Sequence, residues 1–487
     1  MAEKIEDLVP EIEALVAEGM AAFDTPGLAI GIVAGDRLVY AKGFGVRGHG
    51  AGAVDTRTLF QIGSTTKAFL AATMAIAVDR ETMSWRDRIV DLDPDFRLAD
   101  PWVTREFLAL DILAQRSGLP ESVNEMYGIL GASQAEMIAS LRAVPPDTSF
   151  PSAFAYTNIT HTLAARIVAE RLGAVDWPEA LRREILEPLG MVDTTTTLAG
   201  IADAPNHAVG HLWNSGGGAV AVPFVHAMPY AFGAAGAINS NVEDMARWLR
   251  LLLADGTFEG KRVVSAESLA VTRAPRVPIR EGSAYAMGWI ATSTPNGDLF
   301  WHNGATFAFG AFVGMSRAHD VGVVVLANQT HVGLPDIIGL WVLDRLLGNP
   351  AEDPVDDISA ARSAAVEAEA AAVRMFAPPE DARPPIAVGS LAGDYANPVF
   401  GAARLVVGAR GAELALATGA RLRLDPWNGD IFTVVPVGEG EMAAVAANLG
   451  PNPLGFVQFR IDSSGRYRGF DLRFATDSQD FGFARTE

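Results

Sequence analysis

The sequence predicts an α+β module followed by an all-β module, and three observations carry that prediction. Apolar, strand-like segments lie at residues 28–45 and return at 284–328, on either side of a mostly helical stretch from about 64 to 255. Proline-rich breaks flank an alanine-rich run between residues 348 and 385. From 386 onward, short alternating segments are separated by turn residues. Early and late strands are therefore expected in one antiparallel sheet flanked by helices, with a helical subdomain inserted and a closed barrel at the end.

Taken in order, residues 3–23 read as an amphipathic helix. Leu28–Ala34 and Arg37–Gly45 read as paired strands about a Gly35-Asp36 turn. The helical stretch includes Leu163–Leu172, stopped by Gly173, and Val242 to Leu253. Strands are expected at Ala284–Thr292, Leu299–His302, Ala308–Gly314 and Val321–Asn328, then a helix at about 334–347. Residues 1–347 thus form the first domain and 348–385 the linker. The linker opens on the break Asn349-Pro350-Ala351-Glu352-Asp353-Pro354, continues as a helix over Ile358–Phe376 and breaks again from Pro378 to Pro385. Residues 386–487 form the barrel, with strands at Arg404–Val407, Glu413–Ala417, Arg421–Leu424, Ile431–Val435, Gly455–Ile461 and Arg466–Phe474.

An apolar content of 49% with 20% charged residues supports large cores. The net charge of −20 argues against nucleic acid or an anionic membrane as partner. With no cysteine, disulfides, thiol catalysis and thiolate metal sites are excluded. No apolar run reaches the length of about 18 residues that a membrane span needs. The acidic start Met1-Ala2-Glu3-Lys4-Ile5-Glu6-Asp7-Leu8 shows no secretory signal, so a cytoplasmic location is expected.

Ser64-Thr65-Thr66-Lys67 is the only place where a serine precedes a lysine by three residues, in a chain with four lysines. Phe60-Gln61-Ile62-Gly63 leads into it and an apolar helical run follows. Ser64 is expected in the first turn with Lys67 on the same face. Apolar surroundings lower a lysine pKa, and a neutral amine beside a hydroxyl can activate it as a nucleophile. A bare S-x-x-K is more often a helix cap, so further motifs have to decide. Tyr156-Thr157-Asn158 sits where a loop enters a helix, and places a phenol and an amide within reach of such a pair. Its bland reading is a packed tyrosine and a helix cap. His302-Asn303-Gly304-Ala305 ends one strand-like run and precedes another, and its glycine permits close backbone approach.

In this order the three motifs resemble those of the class C β-lactamase and D,D-peptidase family of serine hydrolases. Leu113-Ala114-Gln115-Arg116-Ser117-Gly118-Leu119-Pro120 resembles a further family stretch, with Gln115 where histidine is common. Gly233–Ser240 is similar to the family's glycine-rich run before a helix. Gly393-Asp394-Tyr395-Ala396-Asn397-Pro398 resembles the opening of the lipocalin-like domain that some members carry. The resemblance implies a β-lactamase-like sheet and a lipocalin-like barrel. It implies Ser64 as the acylated nucleophile, with Lys67 and Tyr156 as general base and acid. Tyr156 would mainly activate the hydrolytic water. Asn158 would hold the substrate amide, His302 would orient the substrate or bind its carboxylate, and Gly304 and Ala305 would line the site. The N–H groups of Ser64 and Ala305 would form the oxyanion hole. His302 replaces the lysine of true β-lactamases, which disfavours penicillin turnover.

The reading is a serine hydrolase working through an acyl-enzyme on amides or esters of small or peptide-like acids, with peptidase or amidase favoured over carboxylesterase. The alternative of another class is a slow-acylating penicillin-binding or sensor protein. Neither cofactor nor metal is implied, and the partner is a small-molecule or peptide substrate; self-association into a homo-oligomer is left open. G-x-S-x-G and the P-loop pattern are absent. His207 and His211 read as loop or surface residues, and Gly216-Gly217-Gly218 as a mobile loop near the cleft.

Overall fold

The computed structural model describes residues 1–330, 332–350, 353–408, 411–477 and 479–486. Its central feature is an eight-stranded antiparallel sheet built from both ends of the first domain. The strands are β1 (Gly27–Ala34), β2 (Arg37–Gly45), β3 (Val277–Arg280), β4 (Ser283–Tyr285), β5 (Ile290–Thr292), β6 (Leu299–Ala305), β7 (Gly310–Ser316) and β8 (Val321–Ala327). Their order across the sheet is β2-β1-β8-β7-β6-β5-β4-β3.

The two-residue period of a strand explains why this sheet is covered on both faces. On β1, Leu28, Ile30 and Ile32 point to one side, where they pack with Val321, Val323 and Val325 of β8. Helices α1 (Ala2–Phe23) and α6 (Leu334–Leu347) cover that side through residues such as Ile12, Val16 and Ile338. On the other side Ala29 and Val33 of β1 join Val324 and Leu326 of β8. There α2 (Thr66–Asp79) and α5 (Val242–Leu253) complete the core, with Phe69 stacked on Trp248 at 4.0 Å. Nearly every residue of α2 is buried, as expected of a helix that is apolar all round.

The inserted region is mainly helical and includes α3 (Glu125–Ile129) and α4 (Ile159–Arg171). It also holds a hairpin, Gly210–Leu212 with Val220–Val222. That hairpin buries His211, whose Nδ1 lies 3.0 Å from the Asn328 carbonyl, so this histidine is not the surface residue expected. The glycine turn at its tip is tied down: Gly218 N–H reaches Asp24 at 3.3 Å, and Ser215 N–H reaches Glu369 at 2.7 Å. The segment 284–292, expected as one strand, is a hairpin of β4 and β5. The chain turns at 286–289, where Ala286 N–H donates to the Trp289 carbonyl at 2.8 Å. The edge strand β3 was not foreseen.

The alanine-rich linker forms α7 (Pro354–Phe376), capped by Asp353. The break expected at 349–354 includes Ala351 and Glu352, which lie outside the described residues. Beyond it a closed barrel has the strands β9 (Gly393–Asn397), β10 (Gly401–Gly408), β11 (Gly411–Leu416), β12 (Arg421–Asn428), β13 (Ile431–Pro436), β14 (Gly455–Ile461), β15 (Tyr467–Phe474) and β16 (Asp480–Arg485). Six of these eight correspond to expected strands. The two that close the ring, β9 and β16, were not assigned, nor was helix α8 (Glu441–Leu449). The interior is packed, with Leu414, Leu422, Phe432, Val457, Phe470 and Phe483 fully buried. The barrel docks on the inserted region: the Tyr127 and Phe400 rings meet at 4.8 Å, and Asn448 donates to the Pro223 carbonyl at 2.9 Å.

Candidate active site

Ser64 sits in a single tight turn, Gly63–Thr65, that leads from the core into α2. Two glycines bring this turn against the end of β6. A Cβ on Gly304 would lie 2.0 Å from the Ile62 carbonyl oxygen, closer than any side chain tolerates. Gly63 has φ +50°, and a Cβ there would lie 2.6 Å from the Ala305 nitrogen. The backbones of 63–64 and 304–305 therefore run side by side, with Ala305 exposed and Gly304 buried.

Ser64 Oγ has two partners. Tyr156 donates its hydroxyl hydrogen to it at 2.8 Å, and Lys67 Nζ lies 2.9 Å away. Lys67 is fully buried, and its Nζ also faces Asn158 Oδ1 at 2.7 Å and the Ala235 carbonyl at 2.8 Å. Burial lowers the Lys67 pKa to about 7, although the carboxylate of Glu125 pulls it upward. Burial raises the Tyr156 phenol above its ordinary value, against the pull of its hydrogen bond to Ser64. An amine that loses its charge above about pH 7 thus faces a serine hydroxyl, and a phenol that keeps its proton sits on the other side. That arrangement can move the serine proton to nitrogen.

Asn158 Nδ2 was expected to face a substrate carbonyl. One of its two hydrogens goes to Glu125 Oε1 at 2.6 Å. His302 was expected to orient the substrate or bind its carboxylate. It is 1% exposed, with Nε2 against the Tyr285 hydroxyl at 3.0 Å and Nδ1 against the Asn303 carbonyl at 2.5 Å. Burial lowers its pKa to about 3, so the ring is neutral and offers no cation to a carboxylate. It packs beside Tyr156, with ring centroids 6.2 Å apart.

Three contributors were not read from the sequence. Gln115 holds Thr157 and so sets the loop that carries Tyr156 and Asn158. Glu125 opens α3 beneath Asn158; an acid at the start of the apolar run Met126–Leu130 was its one visible sign. The third, Asp477, belongs to the barrel, in the turn between β15 and β16. Burial and the nearby Glu125 charge raise its carboxyl to about 7. The barrel thus brings a carboxyl close enough to Glu125 to feel its charge. Ser64 lines neither of the two cavities of 640 Å³. One of those, bordered by Ile138, Trp177 and Tyr230, lies behind the segment whose Ala235 carbonyl meets Lys67. Among the described residues no cluster of three or more histidine, aspartate or glutamate side chains could hold a metal ion. No helix among them is long and apolar enough to cross a membrane.

The Beta-lactamase family profile matches residues 12–346, which span the whole sheet and the inserted helices. The chain belongs to the beta-lactamase family. That family is one of serine hydrolases. The chain is 27% identical to unguisins hydrolase ungD of Aspergillus violaceofuscus, over 91% of this chain and 86% of that one. It is 28% identical to penicillin-binding protein 4 of Amycolatopsis lactamdurans, over 76% of this chain and 93% of the relative. The octameric penicillin-binding protein homologue from Pyrococcus abyssi shares its fold across 98% of this chain and 100% of that one, with a TM-score of 0.63 at 20% identity. A class C beta lactamase from Rhodobacter sphaeroides covers 69% of this chain and 98% of its own, at a TM-score of 0.57 and 23% identity.

Proposed function

We propose that this serine hydrolase cleaves amide bonds of small or peptide-like acids through an acyl-enzyme on Ser64. The observation that carries this reading is the placement of Ser64 Oγ between Lys67 Nζ at 2.9 Å and the Tyr156 hydroxyl at 2.8 Å. In acylation, Ser64 Oγ attacks the carbonyl carbon and its proton passes to the neutral Lys67 amine. The N–H groups of Ser64 and Ala305 receive the developing oxyanion, an interaction worth on the order of a hundredfold or more in rate. Lys67, now charged, returns its proton to the leaving nitrogen, with the Tyr156 hydroxyl as relay. In deacylation, water enters where the leaving group stood. Lys67 serves as its base rather than Tyr156, because burial raises the phenol and lowers the amine.

The match to a relative named for hydrolysis of unguisins extends over 91% of this chain and so takes in the barrel. That supports hydrolysis over mere acylation. The penicillin-binding relative keeps a second reading in view, a protein that is acylated and turns over slowly. Intact mass after a fluorophosphonate probe, on wild type and Ser64→Ala, tests the nucleophile. Turnover of p-nitrophenyl esters and of D- and L-aminoacyl anilides tests the leaving group. One adduct on wild type, none on the variant, and faster anilide than ester turnover relative to the uncatalysed rates support the proposal. Labelling without turnover supports the slow acylator, and ester turnover alone a carboxylesterase.

A further inference from the structure

The Asn158 amide stands between a buried base and a carboxylate, and its orientation follows from both. Oδ1 faces Lys67 Nζ at 2.7 Å, and Nδ2 faces Glu125 Oε1 at 2.6 Å. Burial raises the Glu125 carboxyl, while the Asn158 hydrogen bond and Lys67 pull it back down; as a carboxylate it only accepts, so it takes the N–H side of the amide and leaves the oxygen for Lys67. The third Lys67 partner, the Ala235 carbonyl at 2.8 Å, also only accepts. A neutral amine has two hydrogens and one lone pair. With both hydrogens spent on Asn158 Oδ1 and Ala235, the lone pair can point only toward Ser64 Oγ. If the Asn158 amide turned over, its N–H would cap that lone pair and remove the base.

We propose that Glu125 is a positioning residue for acylation: it locks the Asn158 amide so that the Lys67 lone pair faces Ser64, and its charge helps set the protonation of Lys67. This rests on the reading of Lys67 as the base. The groups around the pair are few. Tyr156, His161 of α4, Tyr285 of β4 and His302 of β6 surround Lys67; burial keeps the two phenols protonated and the two imidazoles neutral near pH 7. Glu125 is faced by Lys67, by Glu121 of its own loop and by Asp477 of the barrel. Burial raises the Glu125 carboxyl as well; Lys67, at about 7, is the base beside Ser64, and Asp477 of the barrel also lies at about 7.

The test is the pH profile of kcat/KM from pH 5 to 10, with a p-nitrophenyl ester or anilide, on the full chain. Wild type is expected to lose activity below an acid limb near pH 7. Glu125→Gln keeps an acceptor for Asn158 Nδ2 but removes the charge. Its limb should move down by roughly half a unit to one unit, less than the shift of a directly paired charge, with a plateau within about threefold of wild type. Glu125→Ala removes the lock as well, and its plateau should fall about tenfold or more. Asp477→Asn should keep the limb. Melting temperatures of all three separate these effects from loss of fold. An unmoved limb in Glu125→Gln would overturn the charge role, and an unchanged plateau in Glu125→Ala the lock. Loss of the limb in Asp477→Asn would overturn the assignment to Lys67. If wild-type Ser64 takes no fluorophosphonate, the underlying reading fails instead, independently of Glu125.

Discussion

Gln115 holds both backbone polar groups of Thr157. Its Oε1 accepts from the Thr157 N–H at 2.7 Å and from its hydroxyl at 3.1 Å, while its Nε2 donates to the Thr157 carbonyl at 3.1 Å. Both residues are buried, so no water substitutes for these bonds. Because Thr157 lies between Tyr156 and Asn158, this clamp fixes the loop that delivers the phenol and the amide to Ser64.

Gln115→Leu is therefore expected to cost about 1–3 kcal/mol in stability, the penalty for leaving a buried amide N–H and carbonyl unpaired. Activity should fall more than stability, because the loop shifts at the reacting centre. Urea melts and kcat/KM on the same preparations check this; a variant as active as wild type would mean that the loop is held elsewhere.

The burial of Lys67 predicts a stability profile as well as a rate profile. Its folded pKa of about 7 lies below its ordinary value of 10.5, so between those values the unfolded chain binds more protons. Stability therefore rises with pH across that window, and below about pH 7 the folded state bears the full cost of the buried charge. In Lys67→Met this part of the rise should vanish, and hydrolysis should drop on the order of 10³. Denaturant melts of both proteins at pH 7, 8, 9 and 10 give the slopes; identical slopes would contradict the assigned pKa.

Much of this was legible where the signal is local. The three-residue spacing of Ser64 and Lys67 places them on one face whatever surrounds them. The apolar runs of β1 and β8 announced strands, and the apolar approach to Ser64 announced a buried helix. What could not be read depends on contacts far apart in the chain. Glu125 meets Asn158 across 33 residues, and nothing in either neighbourhood marks the pair. His302 looked like a cleft histidine because its run ends in a glycine. Its neutrality comes from burial and from the nearby Lys67 charge, both supplied by the fold. The barrel's closing strands β9 and β16 are short and pair with each other only through ring closure, so neither carries an independent pattern.

Gly304→Ala is expected to be severe although it adds one methyl group. The new Cβ would fall 2.0 Å from the Ile62 carbonyl oxygen, and a backbone atom cannot swing aside as a side chain can. Either β6 or the turn carrying Ser64 must move, and the two N–H groups assigned to the oxyanion separate. Loss of one such donor costs on the order of 10² to 10³ in kcat, and that loss is expected here. A fluorophosphonate labelling rate for Gly304→Ala equal to wild type would show that the turn and β6 separate without consequence for Ser64.

The contact between Phe400 and Tyr127 predicts that barrel and site are coupled. Phe400 is fully buried, with its ring 4.8 Å from Tyr127, 4.9 Å from Phe481 and 6.0 Å from Phe474. It thus sits where the β15–β16 hairpin, which bears Asp477, meets the helix that bears Glu125. Phe400→Ala should cost the barrel about 3–5 kcal/mol, as large-to-small changes in cores do. Tyr127→Ala removes the same contact from the other side while leaving the barrel interior filled. If the ring contact carries the docking, the double variant should be less destabilised than the sum of the singles, by roughly 0.5–1.5 kcal/mol. Tyr127→Ala should also lower kcat/KM, because the hairpin facing Glu125 loses its seat. Strict additivity together with unchanged kcat/KM in Tyr127→Ala would mean that the barrel is an independent passenger.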